Sequence, residues 1–186
     1  MKQHGVIYAL APSPLKKEII WAGTDDGLVH VTIDGGKTWK HSLYVDENTG
    51  AVEMDINPQQ PNELYAAMWY RERRAWDWKE SGKTSGIYKS TDGGENWKVV
   101  FQDTTKGMFL DAMEFWNEQS GIVIGDPIGD KIFIARTFDG GENWSQTPAG
   151  RGIPAENIPT ADKGEAFFAS SGTNVRKLNK QEVVFV

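Results

Sequence analysis

Ser90-Thr91-Asp92-Gly93-Gly94-Glu95-Asn96-Trp97 is one of three stretches in this chain written with the same grammar. Thr32-Ile33-Asp34-Gly35-Gly36-Lys37-Thr38-Trp39 precedes it and Thr137-Phe138-Asp139-Gly140-Gly141-Glu142-Asn143-Trp144 follows it. The aspartates stand 58 and 47 residues apart. That spacing is close to the roughly 40–50-residue period of propeller blades and too long for short solenoid repeats.

Each part of the phrase has a physical task. Asp-Gly-Gly between two strand-like runs predicts a tight hairpin turn, because the carboxylate accepts bonds from backbone N–H groups ahead of it and glycine tolerates positive φ. The hydroxyl of Thr32, Ser90 or Thr137 adds a bond to the same turn. Trp39, Trp97 and Trp144 then fall on the returning strand, placed to cover the turn and fill space against a neighbouring sheet.

With these residues in view, the phrase resembles the Asp-box, or BNR repeat, of β-propellers found in sialidases, xyloglucanase-type glycoside hydrolases, sortilin-like receptors and photosystem II assembly factors. Residues 19–29 and 57–97 resemble sortilin-type BNR proteins and glycosyl-hydrolase-like relatives. Residues 107–174 are more similar to assembly-factor propellers. The resemblance implies that Thr32, Asp34, Gly36, Trp39, Ser90, Asp92, Gly94, Trp97, Thr137, Asp139, Gly141 and Trp144 are architectural, away from the ligand face. It also implies export, although Met1-Lys2-Gln3-His4-Gly5 and the short apolar run after it lack a signal-peptide pattern.

In chain order the pattern is of short strands separated by turns, an all-β reading. The first four-stranded antiparallel blade is expected at 6–10, 19–23, 28–32 and 39–44. The second is expected at 52–56, 63–70, 86–90 and 97–101, and the third at 108–115, 121–125, 131–137 and 144–147. Ser13-Pro14 and Asn57-Pro58 close the first strand of their blades in phase. After Trp144 the pattern weakens, with strands expected only at 165–169 and 182–186. The expected single domain, residues 1–186, is thus a propeller or propeller segment of about three and a half blades, roughly 5–44, 52–101, 108–147 and a partial 164–186. Because rings close with about four to eight blades, a homo-oligomer or a fragment of a larger propeller is expected.

Composition narrows the function. The 186 residues, 39% of them hydrophobic, include 8 Trp, 8 Phe and 5 Tyr and suffice for a sizeable core. The net charge of −6 disfavours a nucleic-acid surface. No apolar run reaches the roughly 20 residues that span a bilayer. There is no cysteine, and His4, His30 and His41 show no metal-ligand spacing. The Gly-Gly pairs lead into strands, whereas a phosphate or dinucleotide loop opens a helix, so no cofactor is expected.

Two groups of residues can carry function. The segment 71–79, expected as a loop, brings Arg71, Arg73 and Arg74 beside Trp76 and Trp78. Guanidinium forks bind carboxylates or phosphates, and indoles stack on sugars and aromatic faces. Alternatively, the indoles pack the loop and the arginines pair with local acids. Blade-opening strands line the central channel and carry Glu53, Asp55, Asp111, Glu114 and Glu165. Asp55, Asp111 and Glu114 are the candidates for the carboxylate pair of a glycoside hydrolase, which works at separations of about 5–10 Å. The sialidase Phe/Tyr-Arg-Ile-Pro signature is absent. The favoured expectation is a non-enzymatic binding or scaffold propeller recognising a protein or glycan through its loop faces, with a BNR-type glycoside hydrolase as the alternative.

Overall fold

The computed structural model describes residues 5–146, 155–167, 174–179 and 182–185. Among them the architecture is all-β, apart from one short 3-10 turn, Ala155–Asn157.

Blade I consists of β1 (Ile7–Pro12), β2 (Ile20–Thr24), β3 (Leu28–Thr32) and β4 (Lys40–Tyr44), paired in sequence order and antiparallel. Blade II is built from β5 (Thr49–Ile56), β6 (Leu64–Arg74), β8 (Gly86–Ser90) and β9 (Lys98–Gln102). An outgrowth, β7 (Asp77–Glu80), pairs only with the far half of β6. Blade III consists of β10 (Leu110–Phe115), β11 (Gly121–Ile128), β12 (Lys131–Thr137) and β13 (Ser145–Gln146). A two-stranded piece, β14 (Val175–Lys177) with β15 (Val183–Phe185), follows.

The opening strands β1, β5, β10 and β14 are neighbours in that order. They give the sheets a shared inner edge, the β-propeller arrangement, at about three and a half blades. Each of the first three carries a β-bulge at the same step: Tyr8 lies between paired Ile7 and Ala9, Val52 between Ala51 and Glu53, and Asp111 between Leu110 and Ala112. Bulges sharpen local twist. Their recurrence in phase makes the repeat a property of the backbone as well as of the sequence.

The strand alternation sorts side chains into inter-blade layers. Ala9, Ala11, Trp21 and Val29 of blade I meet Met54, Leu64, Ala66, Met68 and Tyr88 of blade II. The opposite face of blade II, with Val52, Tyr65, Ala67 and Ile87, meets Leu110, Met113, Phe115 and Phe133 of blade III. Ala112, Ile122, Ile124 and Ile134 pack on Val175, Ile158 and Val183.

Two sequence expectations need correction. Segment 71–79 is not a loop: Arg71↔Glu80, Glu72↔Lys79, Arg73↔Trp78 and Arg74↔Asp77 pair as a hairpin. The alternating order of Arg71 to Arg74 continues β6, and Ala75-Trp76 makes the turn. The opening strand of the partial blade is β14 (Val175–Lys177), not 165–169. Residues 165–167 are not in a strand, and 168–169 lie outside the described residues. Val175 is fully buried and stands between Asn174 and the cations Arg176 and Lys177, in a three-residue strand too short to stand out as a pattern. The expected ends at 147 and 186 also lie outside the described residues.

Candidate functional site

Strand direction divides the blade ends into two faces. The β1–β2, β3–β4 and equivalent turns emerge at one end, and the β2–β3 turns and inter-blade connections at the other. The three Asp-boxes occupy the first end and hairpin β6–β7 the second.

All three boxes are built alike. The Thr32, Ser90 or Thr137 hydroxyl accepts from the amide of Gly36, Gly94 or Gly141 at 2.9 Å in every case and donates to Asp34, Asp92 or Asp139 at 2.8–2.9 Å. Each aspartate accepts the backbone N–H four residues on, from Thr38, Asn96 or Asn143, at 2.9–3.0 Å. Its second oxygen takes the side chain of that same residue at 2.6–2.8 Å. Both glycines of each box have φ between 70° and 90°, where a Cβ is strained. The Thr38 side chain first, and its amide next, hold Asp34 down at about 2. The Asn96 amide and side chain do the same for Asp92, also at about 2. These carboxylates are fixed anions with their lone pairs committed, which makes them structural.

At the other end, Arg71 is absorbed into the fold. Its Nη2 contacts Asp25 Oδ2 of blade I at 2.5 Å, its Nη1 donates to the Tyr8 hydroxyl at 3.4 Å, and the guanidinium lies 5.6 Å from the Tyr8 ring and 5.7 Å from the Trp69 ring. Trp69 in turn meets Phe109 of blade III edge to face at 4.5 Å. Tyr8, Asp25, Arg71, Trp69 and Phe109 thus form a continuous strip across three blades. Trp69 lies two residues from Arg71 on the same strand, whereas Tyr8 and Asp25 are far away in sequence and are brought to it by the in-phase bulge of β1 and the β2–β3 turn of blade I. Trp76, at the hairpin turn, is 83% exposed. Arg73, Arg74 and Trp78 take backbone positions in the hairpin between Arg71 and Trp76 or directly after it. A pocket of about 450 Å³ opens at this same end, between the β11–β12 turn and the 161–167 segment, lined by Pro127, Ile132, Ala161, Glu165 and Phe167.

The channel carboxylates do not form one constellation. Asp55 and Glu53 lie on β5 and Glu114 on the neighbouring β10. Glu114 is shared by Arg176 at 3.7 Å and Lys177 at 3.9 Å, both from β14. Burial, with Asp55 beside it, pushes Glu53 up to about 7. Asp55 is also raised to about 7, by burial above all, although the Ile56 amide donates to it at 2.7 Å. Asp111 belongs elsewhere, at the bulge near the hairpin end of β10. It is 1% exposed, and neither oxygen has a hydrogen-bond partner among the described residues. Burial, then the charge of Asp126, raise it to about 8. The nearby Asp126 amide, which donates to the Phe109 carbonyl at 3.2 Å, pulls the other way.

The fold and its turns define the class: a β-propeller assembled on Asp-box hairpins. Residues 88–99 match the BNR/Asp-box repeat. A curated relative, the oligoxyloglucan-reducing end-specific xyloglucanase of Emericella nidulans, is 27% identical over 95 residues, 49% of this chain and 10% of that protein. Among solved structures, YCF48 bound to D1 peptide superposes with a TM-score of 0.54 at 18% identity, over 78% of this chain and 41% of that one. An ancestral GH74 enzyme gives 0.56 at 20% identity, over 79% and 21%. The GH74 xyloglucanase from Xanthomonas campestris gives 0.54 at 15%, over 81% and 23%. The chain therefore spans about a tenth of its curated relative and under half of these structures. Their likeness establishes the propeller fold.

Among the described residues, no helix is long and apolar enough to cross a membrane.

Proposed function

We propose that this chain is a non-enzymatic binding module that recognises a protein or glycan on the face carrying hairpin β6–β7. The observation that carries this reading is Trp76, 83% exposed at the tip of a hairpin that reaches beyond its own blade. An indole costs little side-chain entropy to immobilise and supplies a large contact area, which is why Trp dominates binding hot spots. The strip of Tyr8, Arg71 and Trp69 anchors the hairpin base to blade I, so the tip is presented from a stiff support. Peptide binding by the YCF48 neighbour and the xyloglucan named for the curated relative give the two ligand classes to try first.

The test is a peptide pull-down and a glycan array with wild type, Trp76→Ala and the double variant Arg73→Ala/Arg74→Ala. Arg71 is left intact because of its inter-blade ion pair. Trp76→Ala is expected to weaken binding by about tenfold or more, the loss of a modest hot spot. Undiminished binding in both variants removes the hairpin from the site.

The hydrolase reading draws on the xyloglucanase relative and on the Glu53 and Asp55 carboxyls that titrate near neutrality. Against it, Glu114 is neutralised by two cations and Asp111 is sealed from solvent away from the other acids. Turnover of xyloglucan oligosaccharides abolished by Asp55→Asn, with folding intact, would replace the binding reading. We further infer that the exposed outer face of blade I is covered in the working assembly by another copy or by further blades. A well-dispersed monomer in sedimentation runs against that.

A further inference from the structure

The residue just before each Asp-box, at the end of the third strand of its blade, is Val31, Lys89 or Arg136. By strand alternation it faces the blade that follows: Val31 packs in the layer shared with blade II, and Lys89 reaches the third box. Lys89 shows what a cation does in this place. It is 3% exposed, donates from Nζ to the Gly140 carbonyl at 2.7 Å and to Glu142 Oε1 at 2.9 Å, and lies 5.5 Å from the Tyr65 ring. One turn thus satisfies a buried cation with a main-chain carbonyl and, two residues on, a carboxylate. Blade I needs no cation here, because Ser42 takes the Gly94 carbonyl at 2.6 Å.

Arg136 repeats the cation without the turn. Its guanidinium lies 4.8 Å from the Phe138 ring and 5.5 Å from the Trp116 ring. The residue is half-buried, and among the described residues its buried Nε has no hydrogen-bond partner. Burial lowers its pKa, and no acid among the described residues acts the other way. Beyond blade III come β14 and β15, and the sequence holds no fourth box. Cation–π attraction holds the guanidinium in place, yet a charge drawn out of water gains most from an anion that also hydrogen-bonds it. Ser145 stands across from Arg136 where Lys98 stands across from Lys89, so a single positive charge is left for an acid to meet.

We propose that Arg136 receives an acidic turn of a partner protein, which presents a main-chain carbonyl and, two residues on, a carboxylate, as Gly140 and Glu142 present theirs to Lys89. A second copy of this chain does not fit that description. Its second and third boxes are committed to their own blades through Gly94 and Gly140. Its first box carries Lys37 where the third carries Glu142, which would set a like charge against the guanidinium. The site lies at the box end of blade III, the opposite end from hairpin β6–β7, and is independent of binding at that hairpin.

The test titrates the intact chain with a capped octapeptide copying residues 137–144, whose turn is held by its own hydrogen bonds, and with a second octapeptide that has lysine in place of the glutamate. The Nε–H signal of Arg136 in 1H–15N spectra reports contact at the guanidinium. The first peptide should shift it, and the lysine peptide should bind at least about tenfold more weakly, the loss of a hydrogen bond to a charged group. This arm alters nothing in the protein. Followed through the backbone amides of Trp116 and Phe138, Arg136→Met should weaken the first peptide by at least about tenfold. Arg136→Lys, which puts the residue type of Lys89 in this place, should keep most of the binding. Absence of a shift at millimolar peptide, equal binding of the two peptides, or undiminished binding in Arg136→Met would overturn the proposal. So would a shift that grows with protein concentration alone together with a doubled mass in sedimentation, because the occupant would then be a second copy.

Discussion

The first Asp-box and the two that follow it have the same internal hydrogen bonds but different surroundings. Gly94 of the second box sits against blade I, where an added methyl would fall 2.5 Å from Ser42 Oγ and 3.1 Å from Trp21 Nε1. Gly141 of the third sits on the Tyr65 ring of blade II in the same way, at 2.5 Å. Ser42 donates to the Gly94 carbonyl at 2.6 Å and accepts from Trp97 Nε1 at 3.2 Å. Tyr65 and the buried Lys89 both donate to the Gly140 carbonyl at 2.7 Å. Among the described residues, an added methyl at Gly36 of the first box would meet only its own Trp39, at 3.9 Å, and Trp39 is 41% exposed. The turn is thus self-sufficient, whereas the tryptophan becomes part of a core only when a preceding blade stands beneath it.

The largest expected consequence is in the tryptophans. Trp97→Ala and Trp144→Ala should each cost about 3 kcal/mol, the low end for an aromatic truncated in a packed layer. Trp39→Ala should stay within about 0.5 kcal/mol, as for an exposed site. Urea midpoints of the three variants, compared at equal slope, measure the contrast. Equal losses at all three would mean that the indole stabilises its own hairpin and that docking is incidental.

The bulge positions extend the comparison to pH. Blade I places Tyr8 there, 37% exposed, and blade III places Asp111, 1% exposed. Asp111 has a folded pKa of about 8 against an ordinary 3.8. The fold favours its protonated form, so full stability is present below about pH 4 and is lost as pH rises through 8. Asp111→Asn should therefore stabilise the protein by about 2 kcal/mol or more at pH 9 and leave it nearly unchanged at pH 4. Stability curves for the two proteins across that range decide the matter, and a gain that does not grow with pH would refute burial of the acid. Asp34 and Asp92 have the opposite sign. Held down at about 2, they contribute stability above the usual carboxylate range that is lost as pH falls toward 2.

Alanine in place of the second glycine of each box gives the smallest difference. All three sites have positive φ, a shared penalty of about 1–2 kcal/mol. Gly94→Ala and Gly141→Ala add a collision with the preceding blade worth about 1–3 kcal/mol, and Gly36→Ala adds none. Thermal unfolding of the three variants isolates that second part.

Much of the fold could be read from the repeat. Strands β3, β8 and β12 fall where expected to the residue, because an Asp-Gly-Gly turn fixes its own ends with local bonds. The opening strand of the partial blade is illegible in the sequence because Val175–Lys177 has one apolar residue between polar neighbours, and its burial depends on Ala112, Ile122 and Ile134 far away in sequence. In the candidate site, the cluster of arginines and indoles was visible as composition. Its division of labour was not, since Arg71 is committed to Asp25 and Tyr8 of another blade while Trp76 is left bare.

Turn chemistry, blade period and the all-β class are legible in the chain alone, since each depends on residues within hydrogen-bonding reach along it. Which tryptophan is covered, and which carboxylate lacks a donor among the described residues, follow from the assembled blades. Those outcomes are set by strand register and by the neighbouring blade, and neither is encoded within any one repeat.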